Sequence, residues 1–377
     1  MTYRVGVIGG GQLARMMVPP AIELGIDIRV LAEAEGMSAA IAATAVGDYT
    51  DVDTVLEFAR TVDVVTFDHE HVPQPVLRAL VEAGVAVHPG PDALQYAQDK
   101  LLMRERLGEL GVPMPEWARV TDAAELDAFI ASHGGRAVVK TARGGYDGKG
   151  VRVVSSGAEA SDWFGTLAED GRGGALLAEE LVDFTRELAQ LVARRPNGDV
   201  TLWPVVESIQ RDGVCAEVLA PAPGGFVRVA EVAAQIGTSV AEQLGVTGVL
   251  AVELFETTDG RILVNELAMR PHNTGHWTID GSTTSQFEQH LRAVLDLPFG
   301  ATGHTQPWSV MVNILGGPAD GDLDAPLRAA AGAQPTAKLH LYGKSPRPGR
   351  KVGHVTVSGD ELDEVVYEAR AAAAYFD

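Results

Sequence analysis

The stretch from 249 to 278, VLAVELFETTDGRILVNELAMRPHNTGHWT, constrains the fold of this chain more than any other segment. Two β-favouring runs, Val249 to Glu256 and Arg261 to Leu267, flank the sequence Thr257-Thr258-Asp259-Gly260. β-branched and aliphatic runs on either side of such a four-residue turn are typical of an antiparallel hairpin. The pattern therefore predicts two paired strands here.

Two glutamates of this hairpin are predicted to share one face. If Glu256 pairs with Arg261, Glu253 and Glu266 become diagonal neighbours, because strand side chains alternate between faces. At a separation of roughly 6 Å and an effective dielectric of about 20, their repulsion is on the order of 3 kcal/mol, so a cation is expected between them. Mg²⁺ held by two carboxylates and by substrate phosphates fits this geometry. The alternative is an ion pair of one glutamate with Arg261 or Arg270, with the other glutamate in solvent.

The segment from Arg270 to Trp277 (RPHNTGHW) follows the second strand directly. It is too polar, and too interrupted by proline and glycine, to form a regular helix, so it is a candidate active-site loop. His272 and His276 have the spacing of a zinc-binding helix. Gly275 between them, and the absence of a glutamate beside His272, argue against zinc.

Composition limits the possible partners. With 377 residues, of which 46% are apolar, the chain has enough material for two or three domains. Its net charge of −21 disfavours nucleic acid and anionic membranes, so a phosphate ligand requires locally placed Lys and Arg. The single Cys215 excludes an internal disulfide, and no long apolar segment indicates a signal peptide or a membrane helix. We expect a cytoplasmic protein.

The N-terminal region begins with a nucleotide-binding pattern. Tyr3 to Ile8 reads as a buried strand, and Gly9 to Ala14 (GGGQLA) fits a glycine-rich turn that leads into a helix. A phosphate could lie at that helix N-terminus. With a second strand at Ile28 to Leu31 and an acid at Glu33, an NAD site is formally possible. Pro19-Pro20 predicts a kink or an early stop in the helix.

A third strand, Val62 to Phe67, ends at Asp68-His69-Glu70-His71. Open α/β sheets bind ligands at the carboxyl ends of their strands, which makes these polar residues candidate ligand contacts. The alternative is a solvated polar loop. A helix from Gln98 to Leu110 and a linker from Val112 to Pro115 then lead into a second domain.

Within the second domain, Thr141 to Gly150 (TARGGYDGKG) lies between strands at Ala137 to Lys140 and Val151 to Val154. The spacing of its glycines differs from that of a P-loop, and a strand follows instead of a helix. We predict a hairpin flap that closes over polyphosphate with its backbone N–H groups and three cations, Lys140, Arg143 and Lys149. The alternative is a flexible surface hairpin. Another strand with acids at its end spans Ala175 to Val182.

This combination resembles the ATP-grasp superfamily. Four motifs, GGGQLARM at 9 to 16, KTARGGYDGKG at 140 to 150, NELAMRPHNTGHWT at 265 to 278 and YGKSPRPGRKVGH at 342 to 354, resemble those of the N5-carboxyaminoimidazole ribonucleotide synthetase family. The resemblance covers essentially the whole chain, and the last two motifs are the specific ones.

The resemblance implies an ATP-grasp fold of the α/β and α+β class. It implies a Rossmann-like pre-ATP-grasp domain at residues 1–111, a small lid domain at 112–184 and a C-terminal α+β domain at 185–377. It also implies a homodimer.

The implied activity is an ATP-driven ligase reaction. Bicarbonate is activated to carboxyphosphate, and its carboxyl group is transferred to 5-aminoimidazole ribonucleotide. The alternatives are another ATP-grasp ligase, such as formate-dependent glycinamide ribonucleotide transformylase, a biotin carboxylase, or a non-catalytic nucleotide-binding module.

The resemblance also assigns residues. ATP phosphates are assigned to Lys140, Gly145, Tyr146, Asp147, Gly148, Lys149, Gly150 and Val151. Adenine is assigned to Glu179, Glu180, Leu181 and Val182, ribose to Glu187, and further ATP contacts to Gln210, Asn265 and Glu266.

The remaining assignments concern the metal, catalysis and the second substrate. Mg²⁺ is assigned to Glu253 and Glu266, and Ala268 stands where many ATP-grasp proteins carry a third metal ligand. Catalytic roles are assigned to Arg270, His272 and Tyr146. Binding of the ribonucleotide is assigned to Gln12, Asp68, Glu70, Asn273, Lys344, Arg350 and Lys351. Gln95 stands where relatives carry an ATP-contacting arginine, and Lys100 is a nearby cation that could replace it.

Overall fold

A computed structural model describes residues 2–145, 150–167, 174–224 and 227–377 of the chain. The described residues form three β-sheets with flanking helices. One sheet is wholly parallel and the other two are antiparallel, so the expected mixture of α/β and α+β structure is confirmed. None of the helices in these ranges is both long and apolar enough to cross a membrane.

The first sheet is parallel and has the strand order β3-β2-β1-β4-β5. Its strands are short apolar runs covered by helices, the usual pattern for parallel sheets buried on both faces. The elements are β1 (Arg4–Ile8), α1 (Gln12–Glu23), β2 (Asp27–Ala32), β3 (Ala43–Val46), α2 (Val52–Ala59), β4 (Val64–Phe67), α3 (Gln74–Glu82) and β5 (Ala86–Val87).

The expected early stop of α1 at Pro19-Pro20 is wrong, since the helix continues to Glu23. Its buried face, which includes Leu13, Met17 and Ala21, packs into the core of the first sheet. We attribute the continuation to this packing, which outweighs the loss of backbone hydrogen bonds at the two prolines.

The helix predicted from Gln98 to Leu110 is present as α5 (Lys100–Glu109), and a separate helix, α4 (Pro91–Gln98), precedes it. Asp99 between them is extended, and its Oδ1 atom accepts hydrogen bonds from the N–H groups of Leu101 (3.0 Å) and Leu102 (3.1 Å). It is therefore an N-cap, which starts a new helix at this point. The cap fixes the direction of α5 and of its cations.

The second sheet has the strand order β6-β9-β7-β8. Strands β7 and β8 are paired antiparallel from Ala137–Val154 to Lys140–Val151, so the predicted glycine-rich segment connects two neighbouring strands. The elements are β6 (Trp117–Val120), α6 (Ala123–Ser132), β7 (Ala137–Thr141), β8 (Val151–Val154), α7 (Ser161–Leu167) and β9 (Leu176–Glu180).

The third sheet has nine strands in the order β15-β14-β10-β12-β13-β16-β18-β17, and β11 pairs with β10. Its strands are β10 (Phe184–Arg194), β11 (Val200–Leu202), β12 (Val206–Arg211), β13 (Val214–Ala220), β14 (Gly248–Thr257), β15 (Ile262–Ala268), β16 (Trp308–Leu315), β17 (Lys338–Leu341) and β18 (Lys351–Gly359). Its helices are α8 (Val227–Gln243), α9 (Thr278–Gly281), α10 (Gln286–Val294), α11 (Asp324–Ala333) and α12 (Leu362–Ala373).

A buried histidine on α10 joins the first sheet to the third. His290 is inaccessible to solvent, and its Nδ1 atom accepts a hydrogen bond of 3.1 Å from the N–H of Val249. Its Nε2 atom lies 2.7 Å from Oγ1 of Thr66 on β4. Because Nδ1 accepts, Nε2 carries the proton and donates to Thr66. Burial lowers the pKa of His290 to about 3, so the ring is neutral in this position.

Candidate active site

A cavity of about 1070 Å³ lies between the parallel sheet and the nine-stranded sheet. This volume is at the upper end of small-molecule sites, so more than one ligand can fit. The loop after β4, the start of α1, the β14–β15 hairpin and the segment before β18 all contribute to its wall. Of the residues assigned from the sequence, it is lined by Gln12, Asp68, Glu70, Gly145, Glu253, Glu266, Arg270, His272, Asn273, Lys344, Arg350 and Lys351.

The β14–β15 hairpin brings its two glutamates face to face. Glu253 pairs with Glu266, whereas the next pair toward the turn is Leu254 with Val264. Asn265 is therefore an extra residue in β15, a β-bulge. The predicted diagonal arrangement is wrong, because this one-residue shift moves Glu266 directly opposite Glu253.

Two cationic or proton-donating side chains lie beside these carboxylates. The Lys100 ammonium donates to Oε1 of Glu266, and Nε2 of His272 lies 3.2 Å from Oε1 of Glu253. Burial alone would raise the pKa of Glu253, but the hydrogen bond and charge of His272, with smaller contributions from Lys351 and Arg270, hold it below its ordinary value. Neither glutamate pairs with Arg261, contrary to the alternative considered from the sequence.

The donor set suits a hard divalent cation bound partly by substrate. A third carboxylate, Glu187 on β10, is close enough that burial and the charge of Glu253 raise its pKa to about 7. In the described ranges, His, Cys, Asp and Glu side chains form no group of three or more that could hold a metal by themselves. Two protein carboxylates with phosphate oxygens would fit Mg²⁺, which usually keeps few protein ligands.

The loop after β15 is fixed to the first sheet through Glu70. The Oε1 atom of Glu70 accepts from the N–H of Met269 at 2.7 Å, and its Oε2 atom accepts from Nε of Arg270 at 3.1 Å. Arg270 lines the cavity with a guanidinium whose pKa is raised, because Glu70 and Asp68 more than offset the effect of burial. The loop that follows β15 therefore carries a permanently charged group.

The rest of this loop is irregular, as predicted, with a 3₁₀ turn at Asn273–Gly275. Nδ1 of His272 lies 2.8 Å from Oγ1 of Thr274, which orients the imidazole. The side-chain amide of Asn273 is paired through both its oxygen and its nitrogen with the amide of Asn313. Asn273 thus lines the cavity with an amide whose polar atoms are already bonded.

His272 and His276 have separate partners and do not form a zinc pair. Nδ1 of His276 lies 3.0 Å from Nε2 of Gln286, whereas Nε2 of His272 faces Glu253. Burial, followed by the nearby charge of His272, holds the pKa of His276 well below its usual value.

The glycine-rich turn after β1 is filled by protein carboxylates. Oε2 of Glu33 accepts from the N–H of Gly10 at 2.8 Å, and Oδ1 of Asp68 accepts from the N–H of Ala14 at 2.8 Å. A Cβ atom at Gly11 would lie 2.0 Å from Oδ2 of Asp68, so only glycine fits there. Two N–H groups of this turn are thus already bonded to protein carboxylates, and a phosphate or an NAD pyrophosphate at this helix N-terminus would have to compete with Glu33 and Asp68.

Cations from the C-terminal region form the opposite wall of the cavity. Lys344 donates to the side-chain oxygen of Gln12 at the start of α1, and Arg350 donates to the carbonyl of Ser345 at 3.1 Å. Arg347 also lines the cavity and was not assigned from the sequence. Burial and the neighbouring charge of Arg347 lower the pKa of Arg350.

Lys140 belongs to a buried polar network beside the hairpin. Its Nζ atom lies 2.7 Å from Oε2 of Glu179 and donates to Oδ1 of Asn265 at 3.0 Å. Arg104, at the centre of α5, pairs with the other oxygen of Glu179. The carboxylate of Glu179 is therefore engaged by two cations.

The other residues assigned to ATP lie outside the lining of the main cavity. Glu180 accepts from the N–H of Glu116 at 3.0 Å, Leu181 is exposed, and Nε2 of Gln210 donates to Oγ of Ser208 at 2.9 Å. Val182 follows β9, Gly150 lies in the turn before β8, and Val151 is the first residue of β8. Tyr146, Asp147, Gly148 and Lys149 lie outside the described residues.

The sequence did not indicate that Arg104 belongs to the site, and it left undecided whether Lys100 contacts a ligand. Both lie on α5, whose alternation of charged and apolar residues resembles a surface helix. Nothing in the local pattern signals that Lys100 meets Glu266, which is 166 residues away, or that Arg104 is fully buried. Gln95 donates to the carbonyl of Asp92 at 2.9 Å, whereas Lys100 donates to Glu266 on the β14–β15 hairpin.

Comparison with family models covers most of the chain. Residues 1–98 match the ribonucleotide synthetase preATP-grasp domain. Residues 105–287 match the ATP-grasp domain, and residues 309–368 match the phosphoribosylaminoimidazole carboxylase C-terminal domain.

Several known proteins of similar sequence and structure are N5-carboxyaminoimidazole ribonucleotide synthases or synthetases. The chain is 50% identical to the N5-carboxyaminoimidazole ribonucleotide synthases of Mycobacterium tuberculosis (98% of this chain, 86% of the relative) and Corynebacterium ammoniagenes (98% and 91%). Its structure matches that of the synthetase from Thermus thermophilus, at 36% identity and a TM-score of 0.86, over 99% of this chain and 98% of the other. It also matches the Aspergillus clavatus enzyme in complex with ADP and 5-aminoimidazole ribonucleotide, at 33% identity and a TM-score of 0.88, over 99% and 98%.

Proposed function

The chain belongs to the N5-carboxyaminoimidazole ribonucleotide synthase family of ATP-grasp ligases, and on that basis we propose that it carboxylates 5-aminoimidazole ribonucleotide in an ATP-dependent step of purine biosynthesis. One observation on this structure supports the proposal independently of the family. A single cavity joins the hairpin carboxylates to Arg270 and to the cations that precede β18. Such a cavity can hold the phosphate end of a nucleotide, at the hairpin carboxylates, beside a second anionic substrate.

ATP and Mg²⁺ are the proposed cofactors. Lys140 and the 145–151 segment would bind the phosphates, Glu179 to Val182 the adenine and Glu187 the ribose. Gln210 and Asn265 would complete the nucleotide site. Glu253 and Glu266 would hold Mg²⁺, which would neutralise phosphate charge during transfer. The Lys100 ammonium beside Glu266 supports this fit, because it lies where positive charge is needed.

Arg270 and His272 are proposed to handle carboxyphosphate, with Tyr146 on the flap. Bicarbonate would attack the γ-phosphorus of ATP and release ADP, and the amine of the ribonucleotide would then attack the carboxyl carbon and release phosphate. Carboxyphosphate is anionic and hydrolyses readily, so the guanidinium held by Glu70 would bind and orient it. His272, oriented by Thr274, would donate a hydrogen bond to it.

The ribonucleotide is proposed to bind on the opposite wall, between α1 and the segment before β18. Lys344, Arg350 and Lys351 would neutralise its phosphate, which carries close to two negative charges. Gln12, Asp68, Glu70 and Asn273 would surround the rest of the molecule. In a chain of net charge −21, this local gathering of cations favours an anionic ligand here.

We further propose three domains, at residues 1–111, 112–184 and 185–377, a homodimeric assembly and a cytoplasmic location. Size-exclusion chromatography with light scattering would measure the mass in solution. A mass of one chain at micromolar concentration would contradict the homodimer.

The test of the activity is substrate-dependent ADP release in the presence of bicarbonate and Mg·ATP. We expect ADP release with 5-aminoimidazole ribonucleotide, together with a carboxylated product, and none with biotin. ADP release only with glycinamide ribonucleotide and formate would indicate the transformylase reaction. Binding of ATP without turnover of any of these substrates would indicate a non-catalytic module.

A further inference from the structure

Arg104 is a fully buried cation that joins α5 to two other parts of the nucleotide site. Its Nε atom donates to Oε1 of Glu179 on β9 at 2.6 Å. Its Nη1 and Nη2 atoms donate to the backbone carbonyls of Val264 at 3.0 Å and Asn265 at 2.7 Å. The planar guanidinium can serve all three acceptors at once, which an ammonium group at the same position could not do in the same geometry.

These contacts close into a ring that contains Lys140. Oε1 of Glu179 accepts a hydrogen bond from Arg104, and its Oε2 atom lies 2.7 Å from Nζ of Lys140. Lys140 in turn donates to the side-chain oxygen of Asn265. The backbone carbonyl of Asn265 accepts a hydrogen bond from Arg104. The ammonium of Lys140 is therefore held at a fixed point between the lid strand and the bulge of the hairpin.

The ring contains more positive than negative charge. Arg104, Glu179 and Lys140 are 0%, 3% and 9% exposed in their side chains, so water screens them little. Two cations share one carboxylate, and the two together hold the pKa of Glu179 below its ordinary value against the effect of burial. A buried excess charge is costly unless a counter-charge joins it, and a nucleotide phosphate supplies one.

We propose that Arg104 is a positioning residue for ATP, which fixes the ammonium of Lys140 through Glu179 and braces the bulge at Asn265 through its carbonyl. This inference rests on the proposed function, in which Lys140 binds ATP phosphates. It deepens that function, because one side chain then sets both the phosphate-binding cation and the β15 bulge that brings Glu266 opposite Glu253.

The first test separates positioning from general stabilisation. Arg104→Lys keeps the positive charge and loses the three-acceptor fork, so affinity for a non-hydrolysable ATP analogue should fall about tenfold or more. Affinity for 5-aminoimidazole ribonucleotide should stay within about twofold, because that ligand is assigned to the other wall. Arg106→Lys on the same helix, at an exposed ion pair with Glu109, is the matched control and should change neither affinity.

The second test asks whether Arg104 acts through Lys140. In a double-mutant cycle, Arg104→Lys combined with Lys140→Gln should lose little more ATP-analogue affinity than Lys140→Gln alone. Fully additive losses would overturn the inference. The inference would also be overturned if Arg104→Lys melted cooperatively and bound the ATP analogue normally. Equal losses of affinity for the ATP analogue and for 5-aminoimidazole ribonucleotide would overturn it as well.

If Arg104→Lys does not melt cooperatively, Glu179→Gln, which keeps shape and removes the shared charge, replaces it in the double-mutant cycle with Lys140→Gln. Because Glu179 is also assigned to adenine, the coupling with Lys140 is then the test, and fully additive losses would overturn the inference. Analogue binding does not depend on carboxylation. An enzyme that fails to carboxylate the ribonucleotide, yet loses analogue affinity on Arg104→Lys, would refute the proposed function and leave the positioning of Lys140 standing.

Discussion

Glu70 and Arg270 are separated by 200 residues in the sequence, yet Oε2 of Glu70 accepts a 3.1 Å hydrogen bond from Nε of Arg270. The other oxygen of Glu70 accepts from the N–H of Met269. One carboxylate on the loop after β4 therefore fixes both the backbone and the charged side chain at the start of the 270–277 loop. For this reason, loss of the Glu70 contacts should reduce the transfer of the carboxyl group from carboxyphosphate more than it reduces affinity for ATP.

Glu70→Gln tests this relationship. The amide keeps the shape but weakens the bond to Arg270 by roughly 1–2 kcal/mol, so the yield of carboxylated product per ADP should fall about tenfold. Affinity for ATP should stay within about twofold, and Glu109→Gln, an exposed change on α5, is the control. Loss of ATP affinity with fully coupled turnover would assign Glu70 and Arg270 to the nucleotide site instead.

The paired carboxylates give a second prediction. Glu253→Gln and Glu266→Gln should each reduce Mg²⁺-dependent ADP formation by at least about a hundredfold, because an amide keeps the shape and loses the charge that binds the metal. Both variants should still melt cooperatively. Asp259→Asn in the exposed turn of the same hairpin should behave like the parent. Near-normal ADP formation by both variants at saturating Mg²⁺ would refute the metal assignment.

The cations of the C-terminal region give a third prediction. Lys344→Ala and Arg350→Ala should each weaken binding of 5-aminoimidazole ribonucleotide about ten- to a hundredfold, since a charge-assisted bond to phosphate contributes roughly 1.5–3 kcal/mol. Affinity for ATP should not change. The dephosphorylated riboside is the matched ligand, and it should bind the parent and the variants equally. Equal losses for ribonucleotide and riboside would show that these cations do not recognise the phosphate.

A fourth prediction concerns pH. Burial tends to raise the pKa of Glu33, but hydrogen bonds from His69 and Gly10 lower it to about 2. A carboxyl with a lowered folded-state pKa stabilises the protein above its unfolded value of about 4.5, and this contribution is lost as pH falls toward 2. Because Glu33 is partly exposed, we expect Glu33→Gln to lower the free energy of unfolding by about 1 kcal/mol at pH 7.

Denaturant titrations at pH 7, 4.5 and 3 check the pH prediction. The difference between the parent and Glu33→Gln should shrink as pH falls through this window. Glu35→Gln, two residues further along, is the control. A difference that stays constant from pH 7 to pH 3 would contradict the role of the ionised Glu33 carboxylate at the glycine-rich turn.

The sequence predicted elements better than it predicted distances between them. Alternation and turn residues were enough to locate the β14–β15 hairpin, because those signals are local. The register was wrong by one residue, since the bulge at Asn265 is stabilised by contacts with Arg104 and Lys140 that come from elsewhere in the chain. The glycine-rich turn is a second example, because the carboxylate bonded to the N–H of Ala14 belongs to Asp68, 54 residues away on the loop after β4.

Residues that act through long-range contacts could not be identified from local patterns. Arg104 looks like an ordinary charged position of a surface helix, and only the packing of β9 and β15 around it removes it from solvent. The resemblance of the motifs, by contrast, identified the family correctly, because four separated motifs together are far more specific than any one glycine-rich turn.

In the proposed reaction, bicarbonate is activated by phosphate transfer and its carboxyl group is then delivered to 5-aminoimidazole ribonucleotide. The most direct measurement is turnover with ¹⁸O-labelled bicarbonate, followed by mass analysis of the inorganic phosphate. When the amine attacks the carboxyl carbon of carboxyphosphate, the bridging oxygen, which came from bicarbonate, stays on the released phosphate. We therefore expect one ¹⁸O atom per phosphate and one carboxylated ribonucleotide per ADP. Unlabelled phosphate, or ADP formed without a carboxylated product when the ribonucleotide is saturating, would contradict it.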